Sequence, residues 1–64
     1  MTKIGKNIKR IRSTLGLTQD KLARKADTKY TTLAKIESGA VTKPSVQTIA
    51  KIARALGVSI EELL

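Results

Sequence analysis

Tyr30, Thr31, Ala34, Lys35 and Ser38 bring a phenol, two hydroxyls, an ammonium and a bare methyl group into nine residues. At helical spacing Thr31, Ala34, Lys35 and Ser38 share one side and Leu33 and Ile36 take the other, with Glu37 on the flank of the apolar side. An ordinary solvated helix face alternates acids and bases at i,i+4. This one has no carboxylate, so its chemistry is hydrogen-bond donation and close approach to a polyanion.

Covalent chemistry is poorly supplied. The chain has no His and no Cys, hence no imidazole base, no thiolate and no usual transition-metal set. Of the five acids, Asp20, Glu61 and Glu62 suit helix starts and Asp27 falls in a turn, leaving Glu37 and no second carboxylate for acid–base work. Gly5-Lys6 lacks the upstream Gly and the following Ser or Thr of a phosphate-binding loop. The expectation is a binding protein, not an enzyme, with no cofactor, metal or evident small-molecule ligand.

Thirteen Lys and Arg against five Asp and Glu give 64 residues a formal charge of +8. Such an excess on a small body attracts anionic polymers, and nucleic acid is the first candidate; charge kept for solubility is the plainer alternative. There is no apolar run long enough to span a membrane, and MTKIGKNIKR has no apolar core of a secretory signal. The lack of Cys agrees with a reducing compartment, so a cytoplasmic setting is expected.

The elements that must hold the Tyr30–Ser38 face can be read from periodicity and caps. Ile4, Ile8, Ile11 and Leu15 mark a first helix from Lys3 to Leu15, with Thr2 as the candidate cap and Gly16 as the left-handed residue beyond it. Thr18 caps a second helix from about Gln19 to Ala26. Asp27 and Thr28 form the turn into a third, about 29–38, that ends at Gly39. AVTKPSV is a loop, after which Ser45 caps a fourth helix with Val46, Ile49, Ile52, Ala53 and Leu56 on its apolar side. Gly57 stops it, and Ser59 with Glu62 forms a capping box that opens a fifth helix carrying Ile60, Leu63 and Leu64. The expectation is one all-α domain over residues 1–64 with an aliphatic core, since the chain has no Phe or Trp and only one Tyr.

"LTQ" opening the second helix, "LA" one turn on and "IESG" closing the third resemble the helix-turn-helix of phage repressor and Cro-type (XRE-like) DNA-binding domains. "IKRIR" before and "KPSVQTIAKIARALGVSIEELL" after extend the resemblance over essentially the whole chain. It implies a compact five-helix repressor-like fold in which the second and third helices form the motif. It also implies a transcriptional regulator of the repressor type, binding double-stranded DNA at a palindromic operator as a homodimer. Arg12 is then implied to pair with Glu37, and Gln19 and Lys43 to clamp phosphates on two sides of the groove. In that reading Lys29 and Arg12 also meet phosphates, while Tyr30, Thr31 and Lys35 meet base edges. Lys3, Lys6, Lys9 and Arg10 are either a solvated face or further phosphate contacts.

Two positions depart from the family pattern. Asp27 stands where relatives place Gly, and Lys29 where they often carry a capping Ser or Thr, so Thr28 is expected to take over as cap. Val58, Ile60, Leu63 and Leu64 are either a dimer patch or the closure of the core. Two rival readings are a protein-interaction module of the antitoxin type, working through the last helix, and a cationic amphipathic membrane binder built on the first.

Overall fold

The computed structural model describes residues 3–64. Five helices follow in chain order: α1 (Lys3–Thr14), α2 (Gln19–Lys25), α3 (Tyr30–Ser38), α4 (Val46–Leu56) and α5 (Ile60–Leu63). No strand occurs among the described residues. α1 packs on α3 and α5, α2 on α3 and α4, and α4 on α5. Every helix sends at least one fully buried aliphatic side chain inward: Ile8, Leu22, Leu33 with Ile36, Ile52 and Leu63. With no disulfide and no aromatic anchor in this core, close packing of branched side chains holds the helices together.

The caps follow local sequence. Thr18 Oγ1 accepts the Lys21 N–H at 3.1 Å, and Ser45 Oγ accepts that of Thr48 at 3.2 Å. Glu62 reaches back to accept the Ser59 N–H at 3.1 Å, the reciprocal half of the capping box. Asp27 adopts φ +54° between α2 and α3, a left-handed backbone that costs a non-glycine residue roughly 1 kcal/mol.

Some expectations are corrected. Leu15 is 51% exposed and off the α1 seam, because the helix ends at Thr14; Leu17, beyond the turn, packs on the core instead. Val46 is 77% exposed, since the first residue of α4 precedes the turn that reaches the core, whereas Ala55 is buried. Thr28 does not cap α3. The N-cap is Lys29, without a side-chain bond, and the Thr28 hydroxyl is buried with no protein partner. The proposed cap Thr2 lies outside the described residues.

Gly5 is a position whose reason lies on another element. A Cβ built there would stand 2.5 Å from the Ile36 carbonyl oxygen and 3.1 Å from that of Glu37, so the absent side chain lets α1 lie against α3. Gly5→Ala is expected to lower stability by about 1 kcal/mol net: overpacking against backbone costs roughly 1–3 kcal/mol, offset by the better helix propensity of Ala. Thermal denaturation checks the sign; a raised melting temperature would contradict this packing.

Candidate nucleic-acid interface

α3 buries Leu33 and Ile36 completely and thereby turns Tyr30, Thr31, Lys35 and Ser38 outward, with Ala34 half-buried between them. Tyr30 is 51% exposed. Ser38 Oγ donates to the Lys35 carbonyl at 3.1 Å and accepts the Ala40 N–H at 3.3 Å, which tightens the end of the helix.

Behind this face lies a buried polar network. Glu37 is only 3% exposed, and Arg12 meets it with two parallel bonds, Nε to Oε2 at 2.8 Å and Nη2 to Oε1 at 3.0 Å. Arg12 Nη1 donates to the Leu17 carbonyl at 2.7 Å, and Gln19 Nε2 donates to Glu37 Oε1 at 3.1 Å. The carboxylate thus ties α1 and the first residue of α2 to the end of α3, and Arg12 adds the α1–α2 turn through Leu17. A bidentate guanidinium–carboxylate pair fixes direction as well as distance. The network therefore sets how α3 is presented.

It also restricts what Arg12 and Gln19 can do outside. Arg12 commits three of its N–H groups inward and its side chain is 13% exposed, so only the second N–H on each Nη is left for an external anion. Gln19 keeps one side-chain N–H and its carbonyl oxygen. Its backbone amide is at the start of α2, where free N–H groups favour an anion.

A concave site of about 340 Å³ is lined by Lys9, Gln19, Ala34, Glu37 and Ser38. It singles out Lys9 from the basic residues of α1, one turn before Arg12. Ser38 joins it from the far end of α3. Lys29 is exposed at the N-cap of α3 and Lys43 in the α3–α4 loop; neither lines this cavity.

At the other end of the chain Leu63 is fully buried, so it closes the core and is not available as a dimer patch, and Val58 packs against the same core. A helix of one turn has a single inward direction, and Leu63 takes it. Ile60, 37% exposed, and Leu64, 54% exposed, are the apolar side chains left outside. Among the described residues no group of His, Cys, Asp and Glu could hold a metal ion, and no helix is long and apolar enough to cross a membrane.

The arrangement of all five helices is found in solved proteins. The N-terminal DNA-binding domain of SinR from Bacillus subtilis superposes with a TM-score of 0.91 at 37% identity, covering 94% of this chain and 87% of that one. SinR, described as the master regulator for biofilm formation, in complex with DNA gives a TM-score of 0.91 at 37% identity, over 94% and 95%. The restriction-modification controller protein C.AhdI from Aeromonas hydrophila gives a TM-score of 0.91 at 29% identity, over 97% and 92%. No curated protein matches the sequence significantly. The helix-turn-helix family model matches residues 8–63, from the first buried residue of the α1 seam to the last residue of α5, and the chain belongs to that family.

Proposed function

We propose that this protein is a sequence-specific, double-stranded DNA-binding regulator of transcription, of the repressor type, and not an enzyme. The observation that carries the reading is the α3 face: exposed, free of carboxylate, braced from behind by Arg12–Glu37 and flanked by the Lys9–Gln19 cavity. The likeness to SinR in complex with DNA supports it. The small Ala34 allows α3 to sit deep in a major groove, where Lys35 donates to guanine O6 and N7 and Thr31 donates, accepts or touches a thymine methyl. Tyr30, at the first position of α3, reaches a base or the backbone.

Lys9, Gln19, Lys29 and Lys43 then meet phosphates, with a minor share for the two remaining N–H groups of Arg12. These contacts set register and supply the salt-dependent, sequence-independent part of the affinity. A single α3 offers few base contacts, so two copies on a two-fold site, half-sites about 34–36 Å apart, complete the reading. Ile60 and Leu64, with the edge of Val58, are the apolar surface for that pairing. The antitoxin-type alternative gains nothing here, since the last helix spends Leu63 on the core.

Selection of bound duplexes from a random pool, at several salt concentrations and with stoichiometry from light scattering, tests this reading; a pool that emerges unenriched would refute it. In the same assay Lys43→Ala is expected to weaken all duplexes alike and to reduce the slope of log affinity against log salt by about one. A loss confined to one base position would assign Lys43 to a base edge instead.

A further inference from the structure

α2 is a short axis with two different ends. Gln19 at its start lines the cavity beside α3, while Lys25 and Ala26 at its finish line a second concave site of about 420 Å³ with Asp27, Lys51, Arg54 and Ala55. Seven helical residues separate the ends by roughly 10 Å of rise. No α3 residue contributes to this second site.

Its lining holds three bases, one acid and two alanines. Lys25, Lys51 and Arg54 are exposed, and none belongs to an ion pair among the described residues. Ala26 and Ala55, 4% and 7% exposed, lend the site small apolar groups. The dipole at the C-terminus of α2 accounts for a cation at Lys25, and that of α4 for Arg54, but Lys51 lies in the middle of α4, where no helix end calls for it. A duplex on α3 meets the Gln19 end of α2, which leaves these three charges unneutralised.

We propose that this α2–α4 cavity is a docking site for an acidic segment of a partner protein. It rests on the DNA-binding reading only in that DNA is taken to occupy the other end of α2. Three donors converge from two helices, which suits a pair of side-chain carboxylates, and Arg54 can hold one of them in bidentate fashion. Asp27 decides between anions. Its carboxylate can accept a backbone N–H of a peptide laid across Ala26 and Ala55, whereas a phosphodiester backbone has no donor to offer it. A second copy of this chain is not the occupant, because the apolar surface assigned to pairing, Ile60 and Leu64, does not line this cavity. The regulator thus holds DNA at one end of α2 and a second protein at the other.

The test is a titration of the isotopically labelled full chain, followed through its amides, with a capped hexaglutamate peptide and separately with a short duplex. The peptide is expected to move Lys25, Ala26, Lys51, Arg54 and Ala55 and leave Tyr30–Ser38 in place; the duplex is expected to do the reverse. Lys51→Gln with Arg54→Gln should weaken the peptide about tenfold. The charge-matched pair Lys6→Gln with Arg10→Gln on α1 should change it little. Peptide shifts spread over every basic face, equal losses in the two double variants, or movement of the cavity amides by duplex alone would each overturn the proposal. Because duplex and peptide are read at different amides, failure of the DNA reading shows as an unmoved α3 and is distinguished from failure here.

Discussion

Replacing Glu37 by Ala is expected to destabilise the protein by about 3 kcal/mol, the largest effect of any single polar substitution in the fold. The variant leaves Arg12, 13% exposed in the parent, with no anion beside it and removes the acceptor of the Gln19 Nε2–H. Removing one partner of a buried pair leaves the other desolvated, and that cost reaches about 3–5 kcal/mol when burial is complete. Arg12 keeps its bond to the Leu17 carbonyl and some access to water, which places the effect at the lower limit. For a domain of this size about 3 kcal/mol corresponds to a fall in melting temperature of roughly 12–24 °C. Total stability at roughly 0.05–0.15 kcal/mol per residue is only about 3–10 kcal/mol, so the variant stands close to unfolding.

A double variant separates this account from a general intolerance of position 37. Arg12→Met with Glu37→Leu removes both charges and restores apolar volume, and it should melt above the Glu37→Ala single variant. A single variant that melts within about 2 °C of the parent would mean that the network carries no stability.

How much of this was legible in the sequence depends on how local each cause is. Thr18, Ser45 and the Ser59–Glu62 box act on amides within one turn, and Gly16, Gly39 and Gly57 answer the backbone at the end of their own helices, so residue type and spacing suffice. The apolar seams were equally plain in their middles and wrong at their ends. Leu15 and Val46 fit the period but lie where the chain has left, or not yet reached, the neighbouring helices. Leu63 could not be told from Ile60 or Leu64 because a four-residue helix has too few positions to define a face.

The rest depends on contacts between elements that no spacing encodes. Gly5 is explained by a carbonyl on α3, and Asn7 by the Leu63 carbonyl, to which its Nδ2 donates at 3.1 Å across the whole length of the chain. Lys9 could not be distinguished from Lys3 and Lys6 while the crossing of α1 over α3 was unknown. Gln19 was legible as a polar first-turn residue, yet half of its side-chain amide is turned to Glu37. Internal bracing and external binding are therefore shared by the same side chains, and substitutions at Arg12 or Gln19 mix the two effects.

Lys35 and Thr31 are free of that mixture, and the second large effect is expected there. Each is exposed on α3, and the Lys35 bonds to Ser38 Oγ and to the Val41 N–H, at 3.1 and 3.0 Å, use its carbonyl and not its ammonium. Truncation to Ala should leave the melting temperature unchanged. On the preferred duplex each variant should lose about 1–3 kcal/mol, roughly fivefold to 150-fold in affinity, with relaxed preference at one or two base pairs. On random duplexes Thr31→Ala should be nearly silent, and Lys35→Ala should lose only the long-range attraction of one charge. The comparison discriminates because phosphate contacts are blind to sequence, so a residue that met only backbone would lose the same factor on both duplexes. Equal losses for Lys35→Ala and Lys43→Ala on specific and random DNA would place α3 along the phosphates, and the reading of bases would have to come from another surface. Unequal losses, with the preference relaxed only in the α3 variants, require those side chains to lie in the groove.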